Sequence, residues 1–169
     1  MASDTTPRAP GNPPPTDWAT LPSFAFGDAA APADPALADT LLALVLAGTK
    51  TATCWDARDG LKGSAVGDCW VVLDGARTPR AVLRTVALEK CRFDQVSAEF
   101  AWLEGEDDRS LAAWRAGHRQ FFEGDGHFAP DMWLWCARFE LVALLLAHSF
   151  WVSNRAATKP PSRWCAPTG

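Results

Sequence analysis

The sequence predicts an α+β domain built on a small mixed or antiparallel sheet, or on a closed barrel, with helices flanking it. Three observations lead to this fold class. An apolar stripe at helical spacing comes first, strand-like segments with a period of two follow, and two further helical segments precede a last strand. The 169 residues are enough for one domain with a sizeable core.

The first predicted element is a helix over residues 35–47. Pro35 suits the first turn of a helix, because its missing N–H would have no partner there. Apolar side chains recur at helical spacing behind it, at Leu37, Leu41, Leu44 and Val45. Gly48 stands where a helix commonly ends on a left-handed residue, so we expect the helix to stop at this glycine.

Strands follow, since the apolar period changes to two after the first helix. Residues 69–73 and 80–88 are predicted as two strands joined by a turn at residues 74–75. Residues 51–55 form a further short strand, and several glycines mark the loop that follows it.

Two helices and a last strand complete the prediction. Ser97 can cap a helix that stops at Gly105, and Ser110 can cap a second helix over residues 111–122. Residues 132–144 alternate well enough to form a strand. The order of helix, strands, helices and strand is typical of an α+β domain.

The chain divides into three parts. Residues 1–17 are rich in proline and are predicted to be disordered. Residues 18–144 form the folded domain, and residues 145–169 are a tail to which we assign no role. The longest apolar run, at residues 141–152, is about half of the roughly 20 residues that a membrane span needs. The N-terminus has no apolar segment of a secretory signal, so we expect a soluble, cytoplasmic protein without membrane association.

The cysteines predict neither a disulfide framework nor a zinc site. Their number is odd, and no two of them form a C-x-x-C pair. We expect reduced and mostly buried thiols at Cys54, Cys69, Cys91, Cys136 and Cys165.

One short stretch stands out, AGTKTATCW at residues 47–55. Lys50 is its only charge and lies among three threonines, directly after the first helix. On its own, this pattern is better explained by a solvated lysine beside the carboxyl end of a helix, where a positive charge is favourable. The alternative is a functional site.

A wider set of residues favours the site. Gly48 to Thr53 fit the motif G-x-K-x-x-T, and residues 104–122 read E-G-E-x-D-x-S-L-x-x-W-R-x-x-H-x-x-F-F. Together with FAFGD before the helix and VGDCWVVLDGARTPRAVLRTV after it, this ordered set covers residues 23–142. It resembles the long form of the ASCH domains, which are PUA-like β-barrels related to RNA-binding modules.

The resemblance implies a hydrolase that acts on a nucleobase-bearing substrate. Its sharpest form is an N4-acylcytidine amidohydrolase that uses Lys50, Thr53 and Glu104 as catalytic residues. The alternatives are a ribonuclease that acts on single-stranded RNA and a non-catalytic RNA-binding module. The expected partner is therefore a nucleoside or single-stranded RNA, with no cofactor and no metal. Further substrate-binding candidates are Gly48, Thr51, Trp55, Arg58 and His118.

The chemistry leaves several roles open. Lys50 could act as a base if desolvation lowers its pKa, but a nearby Glu104 would raise that pKa. Thr53 is either the nucleophile or the group that holds a water. His118 has a suitable pKa for acid–base work, although it shares a helix face with aromatic side chains and a structural role is the simpler interpretation. Ala137 departs from the resemblance, because family members often carry Glu at that position.

The charge distribution favours a small substrate over a polyanion. The net charge is −4, which disfavours tight RNA binding because phosphate contacts dominate such affinity. Residues 48–92 are locally basic, with eight Lys or Arg and five Asp or Glu. Among the aromatic residues, Trp55 is the best candidate for stacking on a base. Core positions are expected for Trp70, Trp102, Trp133 and Trp135.

Overall fold

The computed structural model describes residues 17–27 and 34–145. The predicted disordered N-terminus and the predicted tail lie outside these residues, except for their boundary positions 17 and 145. Eight main elements follow in chain order: β1 (Ser23–Phe24), α1 (Pro35–Leu46), β2 (Ala52–Asp56), β3 (Cys69–Leu73), β4 (Pro79–Arg92), α2 (Ala98–Glu104), α3 (Leu111–Gly124) and β5 (Trp133–Leu144). Within this part of the chain, no helix is long and apolar enough to cross a membrane.

The five strands form one mixed sheet in the order β1-β3-β4-β5-β2. Only β1 and β3 run parallel, and the other neighbours are antiparallel. The long strands β4 and β5 make up the centre, and their register shifts between Val82 and Leu83 and again between Thr85 and Ala87. Such irregularities bend and twist a sheet, so the two strands curve around the core.

The α+β class and the mixed sheet are confirmed. The strands β1 and β2 lie at opposite edges, and over the described ranges no ladder of hydrogen bonds joins them. The sheet is therefore open at this seam instead of being hydrogen-bonded into a full ring.

The helix boundaries follow the capping residues. Asp34 accepts hydrogen bonds from the N–H groups of Ala36 and Leu37 and so begins α1. Ser97 caps α2 and Ser110 caps α3, each by accepting from the N–H three residues later. The predicted starts of all three helices are confirmed, because such caps are local in the sequence.

Two layers of helix pack on the sheet. Helices α2 and α3 cover the face that carries Ala52, Leu134 and Cys136. Helix α1 covers the opposite face, where it packs with residues of β3, β4 and β5, including Leu83 and Phe139. Side chains alternate between faces along a strand, so the neighbours of Leu134 and Cys136 in sequence point to the α1 side.

Two tryptophans expected in the core are exposed. Trp102 is 54% exposed on the outer side of α2, where the Arg109 guanidinium lies 3.7 Å from its ring centre. Trp133 is 49% exposed at the start of β5, with the Lys90 ammonium 5.3 Å from its ring centre. The core prediction is wrong for both, because a cationic side chain instead of apolar packing covers each ring.

Candidate functional site

The site begins where the chain leaves α1. Gly48 has φ +73°, a left-handed conformation that glycine adopts without steric cost. The chain then runs beside the end of α2, since the Thr51 N–H donates to the Leu103 carbonyl at 2.8 Å. Gly105 permits this approach, because a Cβ at that position would lie 2.5 Å from the Thr49 carbonyl oxygen. This packing of two distant segments places the side chain of Lys50 against α2.

Lys50 lies in the interior between two carboxylates. Its Nζ is 2.7 Å from Glu104 Oε2 and 2.7 Å from Glu106 Oε1. The Lys50 and Glu104 side chains are each 1% exposed, whereas Glu106 reaches the surface at 26%. The hypothesis of a solvated loop lysine is therefore wrong.

The charges around Lys50 decide its protonation state. Burial acts to lower the pKa of Lys50, but the carboxylates of Glu104 and Glu106 and their hydrogen bonds outweigh burial and raise that pKa above its ordinary value. Lys50 is therefore a cationic ammonium in the resting protein. The lowered pKa that Lys50 would need to act as a base is therefore not what its surroundings favour.

The second carboxylate oxygen of Glu104 faces α3. Trp114 donates its indole N–H to Glu104 Oε1 at 3.3 Å, and His118 Nε2 lies 3.5 Å from the same oxygen. Burial acts to raise the pKa of Glu104, but the charges of Lys50 and His118 outweigh it and hold that pKa well below its usual range. Glu104 is thus an ionised carboxylate with cationic or N–H partners on both oxygens.

His118 is placed to be an imidazolium. Its Nδ1 is 3.0 Å from the Trp114 carbonyl oxygen and its Nε2 faces Glu104, so both ring nitrogens meet acceptors. The ring stacks on the Trp114 indole with centres 4.2 Å apart. Burial acts to lower the pKa of His118, but the carboxylates of Glu104 and Glu106 raise it above its ordinary value despite the opposing charge of Lys50.

Cys54 connects this buried cluster to β2. Its Sγ, a Glu104 oxygen and a His118 ring nitrogen all lie within 4.8 Å of one another, a set that could hold a metal ion. Burial and the Glu104 charge raise the pKa of the Cys54 thiol well above its ordinary value. A metal would need the thiolate, and it would compete with the ammonium of Lys50 for Glu104. These groups therefore suit a proton network better than a metal site.

A cavity of about 310 Å³ adjoins the cluster, and strand residues of the α1 side line it together with Cys54 and two phenylalanines of α3. Cys54 and Phe26 form the wall between them, since both line the cavity while Cys54 contacts Glu104 and the Phe26 ring centre lies 5.5 Å from Lys50 Nζ. The lining is rich in rings, namely Phe24, Phe26, Trp55, Trp70, Phe121, Phe122 and Phe139. An apolar cavity with a few polar groups is the usual form of a small-molecule site.

The remaining candidates separate into cavity residues and structural residues. Thr53 and Trp55 line the cavity, although the Trp55 N–H already donates to the Gly60 carbonyl at 2.9 Å. Across residues 17–27 and 34–145, no hydrogen bond joins Thr53 to Lys50 or Glu104.

Three other candidates make structural contacts. The Thr51 hydroxyl points to the Leu103 carbonyl at 3.4 Å, outside the cavity lining. Gly48 forms the turn described above. Arg58 is 58% exposed and pairs with Asp56, which itself lines the cavity.

Sequence reasoning missed two partners of the cluster. Glu106 is the second carboxylate on Lys50, and the indole of Trp114 supports Glu104. The signals were present, because Glu104 and Glu106 are both part of the E-G-E motif. Trp114 and His118 are four apart on one helix, which places them on the same face.

The fold and the sequence match one family. A family model described as the ASCH domain matches residues 25–143. An ASCH domain structure from Lactobacillus crispatus JV V101 is 33% identical, with 72% of this chain and 79% of that chain covered and a TM-score of 0.63. Protein EF3133 from Enterococcus faecalis V583 is 31% identical, with coverages of 76% and 84% and the same TM-score. Among curated proteins, none matches this chain. The chain belongs to the ASCH domain family, as the sequence predicted.

Proposed function

We propose that this protein is a hydrolase of a small nucleobase-bearing substrate, with N4-acylcytidine amide hydrolysis as its sharpest form. ASCH domains are generally linked to RNA binding or hydrolase activity. The observation that carries the proposal is the contact between an aromatic-lined cavity and a buried Lys50–Glu104–His118 network. The rings suit a planar base, and the network supplies charges and protons for the reaction.

The size of the cavity favours a nucleoside. About 310 Å³ lies near the lower limit of small-molecule pockets, which commonly begin near 300 Å³. A space of this size can hold one base with its sugar, whereas an oligonucleotide would have to extend outside it. The net charge of −4 agrees with a substrate that brings no phosphate chain.

The resting charges assign the proton transfers. Hydrolysis adds water across the amide: an oxygen nucleophile bonds to the acyl carbon, the C–N bond breaks, and the leaving nitrogen gains a proton. Glu104, a carboxylate, accepts the proton of the nucleophile, and Lys50, an ammonium, donates one to the leaving amine. Transfer of the proton from Glu104 to Lys50 then restores the resting pair. This assignment makes Lys50 the acid, whereas the sequence suggested it as a base.

Thr53 is proposed to be the nucleophile or to hold the attacking water, because its residue lines the cavity. Lys50 and Glu104 are each 1% exposed, so substrate meets them only past the side chains of Phe26 and Cys54. The wall formed by Phe26 and Cys54 therefore has to yield during the reaction.

The test compares two threonines of one segment. Turnover of N4-acetylcytidine to cytidine is followed by ultraviolet absorbance for the wild type, Thr53→Val and Thr51→Val. We expect Thr53→Val to lower kcat by at least about 100-fold, the smaller end of what a positioned catalytic group contributes. Thr51→Val, whose hydroxyl lies outside the cavity, should stay within a few-fold of the wild type. Absence of turnover in the wild type would reject the amidohydrolase.

A second candidate function is binding or cleavage of single-stranded RNA, and one surface favours it. Trp55, Trp135 and Lys90 lie opposite one another on β2, β5 and β4, in the row next to the cavity residues Thr53 and Ala137. Residues opposite one another share a face of the sheet.

This row extends to an exposed ring. Trp133 is 49% exposed, and the ammonium of Lys90 lies 5.3 Å from its ring centre and 5.9 Å from that of Trp135. Exposed rings beside cations are typical of surfaces on which successive bases stack. A single strand of RNA with one base in the cavity could thus continue along this face of the sheet.

The RNA candidate is tested by the affinity for single-stranded oligouridine at low and moderate salt. Trp133→Ala should weaken the affinity by about 1–3 kcal/mol if a base stacks there. Trp102→Ala, an exposed tryptophan on α2, serves as the matched control. A flat salt response, or equal losses in both variants, would reject RNA binding at this face.

A further inference from the structure

The reaction proposed above does not involve two polar residues that line the cavity. Trp70, on β3, and Thr85, on β4, both line the cavity on the side away from β2. Trp70 pairs with Leu83 in the ladder, and Thr85 follows two residues later on the same face. Diagonal neighbours of this kind lie about 7–8 Å apart, close enough for both to contact one small ligand.

Both groups lack partners within the part of the chain that the structure describes. The Trp70 indole nitrogen is a buried donor without an acceptor. Thr85 is 7% exposed, its backbone bonds with Gly67 and Asp68, and its hydroxyl makes no hydrogen bond there. An unsatisfied buried polar group costs about 1–3 kcal/mol, so the indole N–H of Trp70 calls for an explanation, and the Thr85 hydroxyl offers a second donor in the same cavity wall.

We propose that Trp70 and Thr85 recognise the carbonyl edge of a pyrimidine base, with the indole N–H and the threonine hydroxyl as hydrogen-bond donors. In cytidine, the ring carbonyl O2 and the ring nitrogen N3 are adjacent acceptors, which matches two neighbouring donors. This inference rests on the proposed function, because it deepens the choice of substrate at the same cavity.

The aromatic rings beside Trp70 support the binding of a base at this side of the cavity. The rings of Phe24 and Phe26 contact each other with centres 5.2 Å apart, and Phe24 lies 6.1 Å from the Trp70 ring, so an aromatic group flanks the donor. The indole nitrogen is buried within the wall, so its contact with an occupant requires the ring to rotate. Thr53 lines the cavity from β2 at the far edge of the sheet, across β5 and β4. With Trp70 and Thr85 binding the carbonyl edge at one side of the cavity, the base would lie across it. Its exocyclic nitrogen would then point toward Thr53 at the other side.

The experiment measures cytidine binding by isothermal titration calorimetry and N4-acetylcytidine turnover in the same preparations. The variants are Trp70→Phe, which keeps a ring without the N–H, and Thr85→Val, which keeps the shape without the hydroxyl. Each should weaken cytidine binding by about 3- to 10-fold, the loss of one neutral hydrogen bond. Thr51→Val is the control and should bind like the wild type.

The melting temperature separates recognition from structure. Trp70→Phe loses part of the ring's packing but also removes a buried donor that has no acceptor, so it should melt within a few degrees of the wild type. A large fall without any change in cytidine affinity would mean that the indole supports the fold and not the ligand, and it would overturn the inference for Trp70.

The remaining outcomes distinguish this inference from the proposed function. Equal cytidine affinity in both variants and the wild type overturns the inference, even if turnover depends on Thr53 and the hydrolase stands. Cytidine binding that depends on Trp70 and Thr85, without any turnover, supports the inference and rejects the hydrolase. If the wild type binds no pyrimidine nucleoside at millimolar concentration, the inference is overturned as well.

Discussion

Replacing Lys50 by methionine tests whether the buried charges are as the structure places them. Methionine keeps an apolar stem and most of the length of lysine but removes the ammonium, so Glu104 is left as a buried charge. At an effective dielectric constant of 20, one unit charge pair at 2.7 Å attracts by about 6 kcal/mol, and the cost of taking both ions out of water offsets much of it.

The expected loss is therefore that of a broken buried pair. Removal of one partner from such a pair typically costs about 3–5 kcal/mol, because the other charge remains without compensation. With about 2–4 °C per kcal/mol for a chain of this size, Lys50→Met should melt about 6–20 °C below the wild type. Partial relief comes from His118 and Trp114, which still contact Glu104, so the lower half of that range is expected.

The assay is urea unfolding with thermal melts, and two further variants sharpen it. The double variant Lys50→Met with Glu104→Gln removes both charges and should recover about 1–3 kcal/mol of the loss. Arg119→Met is the matched control, because Arg119 and Glu123 also lie 2.7 Å apart but are 62% and 49% exposed. That exposed pair should contribute at most about 1 kcal/mol.

Two results would refute this reasoning. A Lys50→Met variant within 1 kcal/mol of the wild type, with an unchanged urea slope, would mean that the pair carries no buried charge. A double variant less stable than Lys50→Met alone would mean that Glu104 does not depend on the lysine. For the same reason, loss of activity in a Lys50 variant cannot identify a catalytic role unless its folding has been measured.

Three further predictions concern the elements that hold the site. The pKa of His118 is raised in the folded protein, so the charged ring stabilises the fold below the unfolded pKa of about 6.5, and this stabilisation is lost as the pH rises through the folded pKa. The melting temperature of the wild type should therefore fall between pH 6 and pH 9. A parallel curve for His118→Gln would contradict this. Gly105→Ala should lower the free energy of unfolding by more than about 1 kcal/mol in the urea titration, because φ is +74° and the new Cβ would meet the Thr49 carbonyl. The control Gly124→Ala meets nothing within 4 Å and should leave the free energy of unfolding unchanged. Ser97→Ala removes the cap of α2 and should cost about 1 kcal/mol by thermal melt, and an unchanged melting temperature would mean that the cap does not hold the helix that carries the site.

Local signals in the sequence determined most of the fold. The predicted helix at residues 35–47 ends one residue earlier, at Leu46, and the strand at residues 69–73 matches β3. The start of α2 at Ser97 and its end at Gly105 were also predicted, because caps and left-handed glycines act within one turn of the chain. The strand predicted over residues 80–88 is longer in the structure, since pairing with β5 extends β4 to Arg92.

The sequence also determined the family and named Lys50 and Glu104 together, through a resemblance that covers residues 23–142. It did not determine the charge state of the lysine. Opposing effects of burial and of neighbouring carboxylates act on the same pKa, and their balance depends on distances between residues that are 54 and 56 positions apart in the chain.

Only the tertiary structure decided which polar groups face the cavity and which aromatic rings are exposed. The exposure of Trp133 and the missing acceptor of Trp70 depend on what the folded sheet places beside each ring. Periodicity assigns a side chain to a face, but the neighbours on that face come from distant strands. Local preferences therefore determine the helices, the strands and the motif. Long-range packing determines the charge states in the site, the shape of the cavity and the donor that faces no acceptor.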